Sequence, residues 1–262
     1  MNSMNKQINI QELLDWYIMA GVTETCSDAF CLLDGNEKLI TSVHTTSTNN
    51  TVTKEKITTP KQSAASKNAK DICATAKNLS ELKEIMLKFE GCNLKNTAAS
   101  TVFGNGNEQA QIMFIGEAPG ADEDRMGAPF VGRCGKLLDK MFNAINIKRE
   151  ECYITNVLPW RPPGNRAPTD EEIAICLPFL IRQIELIKPK YIVLLGGIAL
   201  KSVMESEETI SRARGKWMEY VIADDNKAQV VATYHPSYLL RSASQKSKVW
   251  VDVLRLKNKI AE

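Results

Sequence analysis

No apolar run in this 262-residue chain approaches the ~20 residues of a membrane-spanning helix, so a helical membrane anchor is not expected. The amino-terminal MNSMNKQINI has no apolar core of a secretory signal, so export is not expected and a cytoplasmic location is. Neither charge sign is in excess: 33 Lys and Arg face 31 Asp and Glu, for a formal net charge of +2. Affinity for a polyanion would therefore have to come from a local basic surface. Seven cysteines, an odd number without a secreted framework, point to reduced thiols. Cys26 and Cys31 have no second cysteine or histidine pair nearby, so they are not expected to hold a metal. No Gly-x-x-x-x-Gly-Lys-Ser/Thr segment is present, which leaves a phosphate-loop hydrolase with little support.

What is present divides the chain in three. Residues 1–40 form an amino-terminal helical segment, with helical periodicity over 10–20. Residues 41–77 are rich in Thr, Ser, Asn, Lys and Ala and poor in large apolar residues. Such a stretch cannot bury enough surface to offset its ordering entropy, so it reads as a flexible polar linker, with His44 solvated in it. Residues 78–262 form the folded domain. Apolar runs at 112–115, 152–157, 191–195 and 229–234 read as buried strands, and amphipathic stretches between them read as helices. Thr169 with Glu172 makes a capping box that opens one of these helices. Strands alternating with helices predict an α/β fold: a three-layer α/β/α sandwich around a central, mainly parallel four-stranded sheet.

Three of the four strands end in unusual polar residues. Glu117 follows the first, Asn156 closes the second and His235 follows the fourth. Parallel strands bring their carboxyl ends to one edge, where ligands bind in open α/β sheets. The Gly/Pro-punctuated loop after Glu117 adds one aromatic, Phe130. Asparagine can read a planar amide edge as both donor and acceptor. An aromatic face offers a stacking platform, histidine can donate to an oxygen that becomes negative, and glutamate can hold a water. The set suits a flat heterocycle with an imide edge, flipped out of a nucleic acid and cut from its sugar. Arg161, Arg166, Arg214, Lys216 and Arg241 occupy the same group of loops and could meet phosphates. Leu239 and Leu240 could form an apolar wedge into the base stack.

GEAPGADEDRMGAPFVGRCGKLLD (116–139), YITNVLPWRPPGNRAPTDEEI (153–173), RARGKW (212–217) and TYHPSYLLR (233–241) together resemble the family 4 uracil-DNA glycosylases. The likeness runs from about Phe89 to the carboxyl end, in the family's order and spacing. It implies a monofunctional enzyme, expected to be monomeric, that hydrolyses the bond between uracil and deoxyribose in DNA. It implies Glu117 and Glu123 as the acidic catalytic positions, with the division of labour between them open. It implies uracil binding by Ala118, Phe130, Asn156 and His235, with Asn156 selecting against cytosine. His235 would stabilise the leaving uracil anion, and the loop from Tyr238 to Arg241 would enter the minor groove. The alternative from another class is a DNA-binding module that keeps the fold without catalysis; intact Glu117, Asn156 and His235 argue against it.

The chain departs from the resemblance at one place. Family 4 enzymes typically hold a four-iron four-sulfur cluster on four cysteines. Here Cys92 and Cys176 occupy two of those positions, and Phe89 and Trp160 occupy the other two. Two thiolates do not complete a four-cysteine site, so the expectation is no cluster and no other cofactor. The short segment after Gly164 and the single histidine of the folded region also argue against relatives that crosslink to DNA through an extra histidine loop.

Overall fold

A computed structural model describes residues 64–223 and 226–261. The expected amino-terminal helical segment, the expected linker as far as residue 63, Cys26, Cys31 and His44 lie outside the described residues.

The described part of the expected linker contains a helix, α1, over Ala64–Ala74. Ala69, Cys73 and Ala76 are buried. Ser66 Oγ donates to the Ala174 carbonyl at 2.9 Å, and Arg182 Nη2 donates to the Ala76 carbonyl at 2.6 Å. Small residues rather than large ones make this contact, which is why a count of large apolar side chains misses it. Helix α2, Leu79–Lys88, follows; its Asn78 cap accepts from the Glu81 amide. A single turn, α3, covers Leu94–Thr97.

The remaining elements are β1 (Asn105–Gly106), β2 (Ile112–Gly116), α4 (Ala121–Met126), α5 (Arg133–Ala144), β3 (Cys152–Asn156), α6 (Asp170–Ile187), β4 (Tyr191–Leu195), α7 (Gly197–Met204), α8 (Ile210–Ala213), β5 (Trp217–Ala223), β6 (Asn226–Thr233), α9 (Pro236–Arg241) and α10 (Lys246–Ile260). The strand order is β1-β3-β2-β4-β6-β5. The four expected strands, β3, β2, β4 and β6, pair in parallel. The sheet has six strands rather than four because an antiparallel strand sits at each edge. Both edge strands carry weak sequence signals. β1 is a two-residue Asn-Gly pair, and β5 is half-exposed with a mixed pattern.

The central strands are buried on both faces, which explains their unbroken apolar runs. The alternation of the pleat still sorts their side chains. Met113, Ile115, Ile192 and Leu194 join the core that also holds residues of α1, α2, α6 and α7. Ile112, Phe114, Val193 and Leu195 join the core built with α5 and α10. These two cores are the interfaces between the sheet and the helix layer on each of its faces. Helix α6 begins at the expected capping box, Thr169 with Glu172, and ends at Lys188 in the left-handed region before Pro189.

Candidate active site

Parallel pairing places Gly116 of β2 beside Asn156 of β3 at the same edge of the sheet. The pairing continues past the strands: the Val157 and Leu158 amides donate to the Gly116 and Glu117 carbonyls at 3.0 Å each. Asn156 is buried, and its Oδ1 has no hydrogen-bond partner. A buried, unpaired amide oxygen is costly unless a ligand satisfies it. The space in front of it is bounded by Phe130. A Cβ at Gly116 would lie 2.4 Å from Asn156 Oδ1 and 2.6 Å from Phe130 Cζ. Only glycine leaves the ring and the amide at this separation.

Phe130 is held in an unusual state. Its φ is 52°, in the left-handed region that bulky residues avoid. Strain of this kind persists only where the surroundings over-determine it. Two of those surroundings are visible. Helix α5 passes directly beneath: a Cβ at Gly135 would lie 1.8 Å from the Phe130 carbonyl oxygen. Glu123 then clasps the following loop. Its Oε1 accepts from the Val131 and Gly132 amides at 3.0 and 2.8 Å, and its Oε2 accepts from the Gly120 amide at 3.1 Å. Both oxygens of this buried carboxylate are thus committed to the loop that carries Phe130. Glu123, expected as an acidic catalytic position, thus also holds this loop.

His235 caps α9 and closes the other side. Its ring centroid lies 5.7 Å from that of Phe130. Its Nδ1 accepts from the Ser237 amide at 3.2 Å, with Ser237 Oγ at 2.8 Å. A neutral imidazole that accepts at Nδ1 carries its proton on Nε2. Burial, helped by the Arg241 charge, lowers the pKa of the ring to about 4. The ring is therefore a neutral Nε2–H donor near pH 7. Ser237, which fixes the tautomer, carried no assigned role in the sequence; its place two residues after the histidine, at the helix start, was the available signal. Glu117 is half-buried. Burial raises its carboxyl above the ordinary 4.5, and the Arg241 charge opposes that rise. Ala118 is half-buried against the core.

The expected basic residues separate into different environments. Arg241 is exposed. Arg161 donates to Asn165 Oδ1 at 2.7 Å and lies 4.0 Å from Asp124. Arg166 is exposed but bidentate on Glu172, at 2.8 and 2.6 Å. Lys216 pairs with Glu208 at 2.8 Å. Arg214 is corrected: its side chain is only 16% exposed and pairs with buried Asp252 at 2.8 Å. The two-leucine wedge is corrected as well. Leu239 is fully buried, whereas Leu240 and Tyr238 are 39% and 37% exposed.

The four positions implied for a cluster do come together. Cys176 Sγ lies 3.9 Å from Cys92 Sγ. That contact holds the Cys92 thiol down, whereas the same contact and burial push Cys176 up. Phe89 stacks on Trp160, with centroids 6.5 Å apart and planes 16° apart, and meets Phe179 edge-on at 5.2 Å. Trp160 is fully buried, and its Nε1 donates to Thr101 Oγ1 at 2.9 Å. These residues do not fit a four-iron four-sulfur cluster. Two of the four positions carry carbon rings, and the rings are packed against each other and against Phe179.

The family model of the uracil DNA glycosylase superfamily matches residues 103–255. A type-4 uracil-DNA glycosylase of Archaeoglobus fulgidus is 45% identical over 167 residues, which is 62% of this chain and 83% of the relative. One from Thermotoga maritima is 42% identical over 172 residues, covering 65% of this chain and 88% of the relative. One from Pyrobaculum aerophilum is 37% identical over 180 residues, covering 67% and 91%.

Proposed function

The chain belongs to the uracil DNA glycosylase superfamily, and from that footing we propose that it excises uracil from DNA by hydrolysing the N-glycosidic bond and leaving an abasic site. The observation that carries the reading is the unpaired Asn156 amide oxygen, buried beside the Phe130 ring above the bare Cα of Gly116. A flipped uracil would lie against Phe130, with Ala118 beside it. Its N3–H would donate to Asn156 Oδ1, and its O4 would accept from the Asn156 amide NH₂. Cytosine has no N3–H and offers an amino group at C4, so both contacts fail.

Cleavage of the bond between C1′ and N1 leaves the electron pair on uracil. The charge spreads to O2, where the His235 Nε2–H would donate to it. A neutral donor suits this step, because it needs no proton transfer and is fixed before the charge develops. The sugar becomes oxocarbenium-like. Glu117, in its ionised form, would stabilise that cation and orient the water that adds to C1′. One proton from the water ends on uracil. We assign the positioning of Phe130, not a chemical step, to Glu123, whose oxygens are already occupied.

The DNA would be gripped by Arg241, Arg161 and the exposed Tyr238 and Leu240, the last as the wedge. The reaction as written needs no cofactor. We propose that it proceeds without an iron–sulfur cluster, in a monomer, in the cytoplasm. No helix of the described residues is long and apolar enough to cross a membrane. The test is alkali cleavage of oligonucleotides carrying one uracil or one cytosine, treated with wild type and with Asn156→Asp. Wild type should cut at uracil alone. The acceptor-only carboxylate should lower cutting at uracil and favour cytosine N4. Equal uracil rates in the two proteins would overturn the role of Asn156.

A further inference from the structure

Arg214, expected on the DNA surface, is tied with Gly215 to the strand that delivers His235. We infer that Arg214 and Asp252 are positioning residues for His235: together they clamp residues 232–234 and so fix where the imidazole stands. The inference rests on the reading of His235 as the donor to uracil.

Every residue that leads into His235 is held. The Gly215 amide donates to the Ala232 carbonyl at 2.9 Å. Thr233 Oγ1 donates to Asp252 Oδ2 at 2.7 Å. The Arg214 guanidinium lies over the Tyr234 ring, 5.6 Å from its centroid. The clamp is cross-braced. Arg214 Nη2 lies 2.8 Å from Asp252 Oδ1 and also donates to the Lys248 carbonyl. Arg255 Nη1 donates to the Gly215 carbonyl at 3.1 Å. Gly215, at φ +70°, is the one residue that fits between them: a Cβ there would lie 2.4 Å from Asp252 Oδ1 and 2.5 Å from Arg255 Nη1. On the opposite side, the Gly196 amide donates to the Thr233 carbonyl at 2.9 Å. A Cβ on Gly196 would come within 3.1 Å of His235 Cβ.

Stability alone is a poor reason for this arrangement. Asp252 is 2% exposed, and burial raises its carboxyl against the opposing pull of Thr233 and Arg214. A buried ion pair often gives no more stability than a well-packed apolar pair. What it supplies here is placement: the Asp252 carboxylate accepts from Thr233 Oγ1, and the paired guanidinium lies over the Tyr234 ring. Placement matters because a donor must stand within hydrogen-bond distance of the oxygen that becomes negative.

The test uses the full chain, with Thr233→Val, Arg214→Lys and Asp252→Asn. Turnover on a uracil-containing oligonucleotide is measured together with the imidazole nitrogen resonances. The chain has two histidines, so a His44→Gln background leaves His235 as the one signal. We expect kcat to fall roughly 10- to 100-fold, with KM for DNA held within about twofold. The His235 resonances should shift as the ring is displaced, while the Nε2–H tautomer that Ser237 fixes is kept. Wild-type kcat with unmoved resonances in folded Thr233→Val and Arg214→Lys would overturn the inference. So would a raised KM with kcat kept, which would make Arg214 a DNA contact. Should Asp252→Asn fail to fold, the near-isosteric Thr233→Val decides. Should wild type itself leave uracil in place, the functional reading fails, and the resonances still report whether the clamp orients the ring.

Discussion

Gly116 and Asn156 are register partners at the carboxyl ends of β2 and β3, and the missing side chain of the first makes room for the amide of the second. Gly116→Ala would place a methyl group 2.4 Å from Asn156 Oδ1 and 2.6 Å from Phe130 Cζ, so one of them must move. A displacement of about 1 Å at a substrate-positioning group can reduce rate roughly 100-fold. Single-turnover excision by Gly116→Ala should fall on that order, with the melting temperature little changed. A wild-type rate would show that this floor does not shape the pocket.

The acid side of the pH profile should be set by Glu117 rather than His235. Burial raises the Glu117 carboxyl above 4.5, whereas the His235 ring stays neutral down to about 4. As pH falls, Glu117 takes its proton first and activity drops. Glu117→Gln should be slower, with its remaining acid limb shifted down toward 4. His235 also carries a stability signature. Its pKa is about 4 in the folded protein against 6.5 for an ordinary histidine, so between those values the unfolded chain binds the extra proton and the folded one does not. Stability contributed by the neutral ring is therefore present above 6.5 and lost as pH falls toward 4. Melting temperatures across that window should fall less steeply in His235→Asn than in wild type.

Phe89 and Trp160 fill positions that hold thiolates in the family this chain resembles, and Trp160 is fully buried. Trp160→Ala should destabilise the fold by about 3–5 kcal/mol, the range for removing a buried aromatic. It should also loosen the loop of Arg161 and weaken DNA binding. Protein purified anaerobically should contain no stoichiometric iron. Iron at cluster stoichiometry, or a Trp160→Ala melting curve superimposable on wild type, would contradict this.

Binding to DNA should weaken steeply with salt, because a chain of net charge +2 must rely on local cations. Arg241→Ala should reduce the magnitude of the logarithmic salt slope by about 1, the value for one lost phosphate contact. Arg166→Ala should change it less, since Arg166 is already paired with Glu172. Equal slopes for wild type and Arg241→Ala would remove Arg241 from the DNA surface.

The parallel strands were legible because β2, β3, β4 and the later part of β6 are buried, largely apolar runs, and Glu117, Asn156 and His235 were legible as polar breaks at strand ends. The convergence of those ends follows from parallel pairing alone. What could not be read depends on packing between distant segments. Nothing near Leu239 and Leu240 distinguishes the buried one from the exposed one, because the distinction lies in how α9 meets the core. RARG looks like a phosphate-binding surface until Asp252, far along the chain, turns Arg214 inward. Nothing local to Glu123 shows that three amides of the loop fold onto its two oxygens. The helix at Ala64–Ala74 was hidden because alanine and cysteine make its contact, and edge strand β5 because its pattern is half exposed.

The most direct measurement is the release of free uracil, quantified by mass spectrometry, from a uracil-containing oligonucleotide incubated with excess iron-free protein. The account predicts stoichiometric uracil together with one alkali-labile site at the uracil position, and neither from the matched cytosine strand. Undiminished uracil in the oligonucleotide after long incubation would contradict it.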